Sequence, residues 1–209
     1  MGLYARLLLP RLTDLAMRGR EVAAERDWLI PQAAGRVLEI GAGSGLNLRY
    51  YGSAVTSVLA VDPSRELWRL AAPRLPGARV PVRFVAASGE ALPLRAASVD
   101  TVVLTWTLCS IPDPRAALAE IRRVLVPGGR LLFVEHGRAP DASVRRWQER
   151  LTPLWRRVSG GCHLDRPIDD LIRAAGLHFG ALEARYVGRP RFGTYFYRGE
   201  AHSPAARRT

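Results

Sequence analysis

Val37-Leu38-Glu39-Ile40-Gly41-Ala42-Gly43-Ser44-Gly45 decides how this chain folds. An apolar, strand-like run enters a loop with Gly at every second position. Glycine lets the backbone take positive φ and lets a ligand lie close against the main chain. A second apolar run, Val58-Leu59-Ala60-Val61, ends on Asp62, twenty-one residues after Gly41. A Gly loop after one strand and a carboxylate at the tip of the next are the two-point grip of a doubly wound fold on an adenosine-containing ligand. The Asp62 carboxylate has lone pairs enough to accept both ribose hydroxyls.

The loop narrows the ligand further. A dinucleotide fold asks for Gly or Ala at the sixth motif position, so that the helix packs tightly and its N-terminus meets the pyrophosphate. That position is Leu46, and acidic Glu39 precedes the first Gly. A carboxylate there repels a pyrophosphate and suits a cationic amino-acid cofactor. The pattern E-x-G-x-G-x-G resembles motif I of the class I S-adenosylmethionine (SAM) methyltransferases, and SAM is the cofactor this resemblance implies.

Composition fits one compact domain. The 209 residues are 48% hydrophobic and 24% charged, as in an ordinary globular protein. No apolar run approaches the ~20 residues of a membrane span, and no signal peptide is visible. Cys109 and Cys162 make no disulfide framework, so a reduced cytoplasm is expected. A monomer acting on a small-molecule acceptor is expected as well. The net charge of +12 contains no lysine, and its arginines are spread along the whole chain. A nucleic-acid face would cluster basic residues among exposed aromatics. The nearest approach, Arg145-Arg146, Arg150 and Arg156-Arg157, reads as the solvated face of a helix. The charge therefore predicts no specific nucleic-acid partner, and weak peripheral attraction to an anionic membrane.

Residues 1–34 read as a helical cap, with Leu3, Leu7, Leu8, Leu12, Leu15 and Ala16 at three- and four-residue steps. Strand and helix signals then alternate through residues 35–200. Strands are expected at Arg36–Ile40, Ser57–Val61, Pro81–Val85, Asp100–Thr105 and Arg130–Glu135. A short helix is expected from Leu46 to Tyr51. Asp62-Pro63-Ser64 opens the next helix with a capping residue. Asp113-Pro114 opens another, which stops at Pro127-Gly128-Gly129. Val144, Trp147, Leu151, Leu154, Trp155 and Val158 form an apolar stripe on an Arg-rich helix that Pro153 should kink. Leu177–Val187 and Thr194–Arg198 read as a closing antiparallel hairpin, and residues 201–209 as a frayed tail. The alternation means a mostly parallel sheet with right-handed crossovers.

Together the landmarks Glu39 to Gly45, Asp62-Pro63-Ser64, Ser88-Gly89-Glu90-Ala91-Leu92-Pro93, Ser98-Val99-Asp100 and Leu125-Val126-Pro127-Gly128-Gly129 resemble the class I methyltransferase fold. That fold is α/β and Rossmann-like, with a seven-stranded sheet. The resemblance implies that Glu39, Gly41, Ala42, Gly43, Gly45, Asp62, Pro63, Ser88, Gly89, Glu90 and Thr105 contact SAM. Ser88 departs from the Asp that such enzymes often place against the adenine amine. A narrower resemblance, in Phe133-Val134-Glu135-His136 and Gly161-Cys162-His163-Leu164-Asp165-Arg166, is to the group that includes alkyl-thiol methyltransferases. Tyr4-Ala5-Arg6 and Leu104 to Ser110 point the same way.

The expected activity is methyl transfer to a small lipophilic acceptor, with thiols first. Phospholipid amines and quinone carbons are alternatives, and a non-catalytic SAM-binding module a remoter one. A thiol acceptor needs its thiolate, so a base is useful. His136, at the carboxyl end of the fifth strand, and His163, in a Gly-flanked loop, are the catalytic candidates. Cys109 reads as a small buried apolar residue, because SAM transfer needs no covalent relay. The cysteines lack metal-ligand spacing, so no metal is expected. Trp106, Trp147 and Trp155 read as core, or as walls of a lipophilic pocket.

Overall fold

The computed structural model describes residues 4–205. A seven-stranded sheet is built from β1 (Gly35–Ile40), β2 (Val55–Val61), β3 (Val82–Val85), β4 (Val99–Thr105), β5 (Leu125–His136), β6 (His178–Tyr186) and β7 (Tyr195–His202). Its order is β3-β2-β1-β4-β5-β7-β6. The first five strands are parallel, and β7 pairs antiparallel with both β5 and β6. The order reverses between β1 and β4, where a doubly wound sheet opens its ligand crevice.

The central strands are apolar at nearly every position because both faces are covered. Successive side chains point to opposite faces. Leu38, Val102, Leu131 and Phe133 therefore join one core, while their neighbours Val37, Val103, Leu132 and Val134 join the other. Helix α4 (Pro114–Val124) turns Ala117, Leu118, Ile121 and Val124 inward, and α6 (Ile168–Ala174) adds Ile168 and Ile172 to the same core. Of the N-terminal pair, α1 (Leu9–Ala16) and α2 (Arg20–Leu29), the second supplies Leu29 to the opposite core.

Sequence expectations and structure differ at four places. Only a 3-10 turn, Leu48–Tyr50, stands where a helix from Leu46 to Tyr51 was expected, because Asn47 and Tyr51 bend inward to bond Glu39. β5 begins at Leu125, not Arg130, since Pro127-Gly128-Gly129 is absorbed as a register shift beside Val99. β7 runs to His202, and Ser203 N–H donates to the Gly129 carbonyl at 2.9 Å. Ala201 is thus fully buried in the sheet and not part of a frayed end; residues 206–209, like Leu3, lie outside the described residues.

The fourth concerns the long helix α5 (Ala142–Val158), which continues through Pro153. Its buried face is Val144, Gln148 and Thr152, while Trp147, Leu154, Trp155 and Val158 are exposed. Gln148 explains the choice. Its amide accepts from Ala139 N–H at 2.9 Å and donates to the carbonyls of Gly137 and Phe192 at 3.0 and 3.1 Å.

Candidate active site

The Gly loop leaves β1 with Gly41, Gly43 and Gly45 all at positive φ. Gly41 is required by a close approach: a Cβ there would fall 2.1 Å from the Thr107 hydroxyl. Gly43 is different. At φ +52° its Cβ direction is open, with only the Gly41 carbonyl near, at 3.8 Å. Asp62, at the carboxyl tip of β2, lies beside it and accepts from Gly43 N–H at 2.9 Å and from Ser64 N–H at 2.7 Å. Burial pushes the Asp62 carboxyl up, against the pull of these two backbone donors. Each oxygen retains lone-pair capacity for a further donor. Ser64 then caps the short helix α3 (Arg65–Arg69) by accepting from Leu67 N–H at 3.1 Å.

Beneath the loop lies a buried polar network. Glu39 is 1% exposed, and its two oxygens accept from Asn47 at 2.9 Å and from the Tyr51 hydroxyl at 2.7 Å. Asn47 also donates to Thr105 at 3.0 Å and accepts from buried Arg26 at 2.9 Å. Glu39 and Thr105 are therefore engaged with protein groups, and a cofactor would feel Glu39 as charge across the loop. Asp14 of α1 clasps the same loop. It accepts from the Ser44 hydroxyl at 2.5 Å and pairs with Arg74 at 2.9 Å.

After β3, the buried Gly89 backbone lies so near β1 that a Cβ would meet Ile40 at 2.7 Å. Ser88 donates to Glu90 at 2.8 Å, and Glu90 accepts from Asp113 N–H, tying this turn to the start of α4. Ala42 is buried under the loop, with its N–H on the Val61 carbonyl at 3.2 Å, and Pro63 is exposed at the tip of β2.

Burial dominates Glu39, pushing its carboxyl up to about 7 despite the Tyr51 and Asn47 donors and the Arg26 charge. Between the ordinary 4.5 and this value, the unfolded chain has lost a proton that the folded chain keeps. Stability must therefore fall as pH rises through that window, by about 3 kcal/mol for such a shift. Glu39→Gln removes the ionisation. Urea titrations from pH 4.5 to 7.5 should show a flatter loss for the variant than for the native chain. Parallel profiles would contradict this account of Glu39.

The region beyond β4 is organised by Glu135, which is fully buried at the end of β5. Its carboxylate accepts from the N–H groups of Thr107, Leu108 and Cys109 at 2.9, 2.9 and 3.1 Å. Burial pushes it up to about 7, against those three donors. The turn so fixed then grips the 159–167 loop: His163 N–H donates to the Cys109 carbonyl at 2.8 Å, and buried Arg166 donates to that of Leu108. Both candidate histidines border this turn and loop. His136 Nδ1 lies 3.7 Å from Cys162 Sγ, and its buried Nε2 has no hydrogen-bond partner. His163 Nδ1 lies 3.3 Å from the Cys109 carbonyl, and burial with the Arg166 charge pushes it below the usual imidazole value.

Sequence reading missed two things. The role of Glu135 is one, although a carboxylate in an otherwise apolar strand, Leu131-Leu132-Phe133-Val134-Glu135, is a signal in itself. The Cys109–Cys162 contact, 3.6 Å between sulfurs, joins residues 53 positions apart and has no sequence signature. Trp106 is half-buried at φ +52° with its indole N–H unpartnered, edge-on to Phe196. Trp147 and Trp155 belong to the outer surface and not to a core.

An open cradle at Gly43, a buried carboxylate at the next strand tip and a second buried carboxylate under the loop fit an adenosyl cofactor carrying an ammonium group. The profile of the methyltransferase domain matches residues 38–133. Thiol S-methyltransferase TMT1A of Homo sapiens is 32% identical over 184 residues, covering 85% of this chain and 73% of that protein. Thiol S-methyltransferase TMT1B of Homo sapiens is 39% identical over 142 residues, 64% of this chain and 57% of that protein. The chain spans little more than half the length of the TMT1B proteins it matches. Among solved structures, the N-methyltransferase NodS of Bradyrhizobium japonicum WM9, in complex with S-adenosylhomocysteine, shares the fold. Its TM-score is 0.66 at 19% identity, covering 88% of this chain and 87% of that one.

This chain belongs to the SAM-dependent methyltransferase family. The family's cofactor is SAM.

Proposed function

We propose that this protein methylates the sulfur of a small lipophilic thiol. The observation that carries the proposal is that two imidazoles border one Cys109–Cys162 contact, His136 at Cys162 Sγ and His163 at the Cys109 carbonyl, on a turn whose Thr107 lies against Gly41 of the Gly loop. SAM supplies an electrophilic methyl on a good leaving group, so the protein chiefly aligns the reactants and excludes water. Asp62 holds the ribose, the Gly41–Gly45 loop holds the amino-acid end, and Ser88 with Gly89 and Glu90 borders the adenine. An imidazole below its usual pKa is neutral at pH 7, so His163 is available to take the thiol proton. His136, with a free buried Nε2, is the second candidate. The similarity to thiol S-methyltransferases supports the choice of sulfur.

The test is a turnover screen with methyl-labelled SAM against an alkane thiol, phosphatidylethanolamine vesicles and a quinol. Label in a thioether is expected. Label on the amine or on ring carbon would overturn the substrate class, and no label anywhere would favour a non-catalytic SAM-binding module. Replacing the responsible histidine by Gln should lower turnover near pH 7 with SAM affinity nearly unchanged, and higher pH should restore part of the rate. Full activity in both variants over that range would leave alignment alone to explain the chemistry.

A peripheral membrane role is also proposed, because a lipophilic acceptor partitions into bilayers. Leu7, Leu8, Leu12 and Leu15 are exposed on the N-terminal helical segment, as are Trp147, Leu154, Trp155 and Val158 on α5. The two segments touch where the Tyr4 hydroxyl donates to the Val158 carbonyl at 2.8 Å. Exposed arginines, including Arg11, Arg150, Arg156 and Arg157, surround these stripes. Among the described residues no helix is long and apolar enough to cross a membrane. Co-sedimentation with anionic vesicles should fall as salt rises, since screening shortens the field to about 8 Å at physiological ionic strength. Salt-insensitive pelleting would instead indicate apolar insertion.

A further inference from the structure

We propose that Cys162 and Cys109 form a redox-active dithiol, with Cys162 as the attacking thiolate and Cys109 as its resolving thiol, acting on small anionic disulfides. The methyl-transfer reading gives neither sulfur a task, and this inference does not depend on that reading. Both cysteines are free, and their sulfurs are in contact at 3.6 Å. The contact is built into the fold. Glu135 holds the Cys109 turn from one side, and the 159–167 loop is fastened to it through His163 N–H and Arg166.

The two sulfurs are not equivalent. Cys162 is partly exposed and lies 3.7 Å from His136 Nδ1, whereas Cys109 is 2% exposed with Ser110 Oγ at 3.5 Å. An accessible thiol beside an imidazole, backed by a buried second thiol, is the division of labour that disulfide exchange requires. Charge distribution agrees with this. The sulfur–sulfur contact with Cys109 depresses the Cys162 thiol to about 4, helped by His136 and Trp155 against burial. Cys109 is raised well above its ordinary value, first by that same contact and then by burial. The other charged groups facing Cys162 are Glu135, which opposes the thiolate, and Arg166, which favours it.

The substrate class is inferred from the charge on the segment that leads into the Cys162 loop, since Cys162 itself does not line the hollow there. Pro153, Arg156, Arg157 and Gly161 line a surface hollow of about 280 Å³ next to Cys162 in the chain. Two guanidinium groups there match the carboxylates of a peptide-like disulfide. In the first step the Cys162 thiolate attacks one sulfur of R–S–S–R. The S–S bond breaks, and the departing RS⁻ takes the proton held between Cys162 and His136. In the second step the Cys109 sulfur attacks Cys162 Sγ, the second RS⁻ leaves, and it carries away the Cys109 proton. The two protein thiols are oxidised to one disulfide, and R–S–S–R is reduced to two RSH. A low-molecular-weight thiol such as glutathione returns the pair to its reduced form.

The experiment uses the reduced full chain without SAM, treated with glutathione disulfide near neutral pH, quenched by alkylation and read by intact mass and peptide mapping. The native chain should yield the internal Cys109–Cys162 disulfide with two glutathiones released. Cys109→Ser should accumulate a single glutathione on Cys162, and Cys162→Ser should stay unreactive although Cys109 remains. His136→Gln should slow the first step roughly tenfold near neutral pH, with recovery at higher pH as the thiolate forms unaided. Native chain that keeps both thiols, that reacts first at Cys109, or that carries a metal ion blocking both sulfurs would overturn the proposal. So would a Cys109→Ser chain that gathers no adduct. None of these readouts needs a methyl acceptor, so failure of the thiol-methylation reading leaves them interpretable.

Discussion

Glu135→Ala should cost this protein much of its stability. The carboxylate is fully buried and satisfies three backbone donors, those of Thr107, Leu108 and Cys109. Alanine leaves all three N–H groups without an acceptor in a site that water does not reach. Each such loss costs about 1–3 kcal/mol, against a total of about 5–15 kcal/mol for a typical domain. Glu135→Gln is the informative companion. Its amide oxygen can still accept two of the donors, but its NH₂ must face the third. Urea midpoints should therefore fall in the order native, Gln, Ala. A Glu135→Ala chain with the native midpoint would show that the turn after β4 holds itself. Because that turn carries Thr107 against Gly41 and Cys109 against Cys162, local damage there should also weaken the site.

Asp62→Ala should have the largest effect on cofactor binding. A charge-assisted hydrogen bond contributes roughly 1.5–3 kcal/mol, and a ribose diol offers two donors to one carboxylate. Affinity for S-adenosylhomocysteine should drop by at least about a hundredfold, since each 1.4 kcal/mol is tenfold. The substitution also removes the acceptor for Gly43 and Ser64 N–H, so a melting curve must accompany the titration. Gly43→Val acts on the same pocket by another route. Its side chain would occupy the space left open beside the loop, and a β-branched residue is strained at φ +52°. Binding should be lost at least as completely. A folded Asp62→Ala chain with native affinity would remove the tip of β2 from the cofactor site.

The fold was legible because its signals are local. Alternating strands and helices, the Gly loop, Asp62 and the Ser64 and Asp113 caps all act within a few residues, and each stands where the spacing placed it. Errors arose where tertiary contacts overrode local preference. Tyr51 and Asn47 gave up a helical turn to satisfy Glu39, and β5 starts early because Leu125 pairs with Val99 and Pro127-Gly128-Gly129 bulges out of register before pairing resumes at Arg130. On α5, apolar periodicity pointed to the tryptophans, but Gln148 had three backbone partners waiting and its face turned inward. The acceptor side was least legible. His136, His163, Cys109 and Cys162 come from three separate segments, and only the folded sheet brings them together.

Calorimetric titration of the native chain with SAM, S-adenosylhomocysteine and NAD tests the central claim most directly. Glu39 under the Gly loop, Leu46 at the sixth motif position and the open Gly43–Asp62 cradle predict saturable heats with the first two ligands and none with NAD. Micromolar binding of NAD with silence towards SAM would contradict the account.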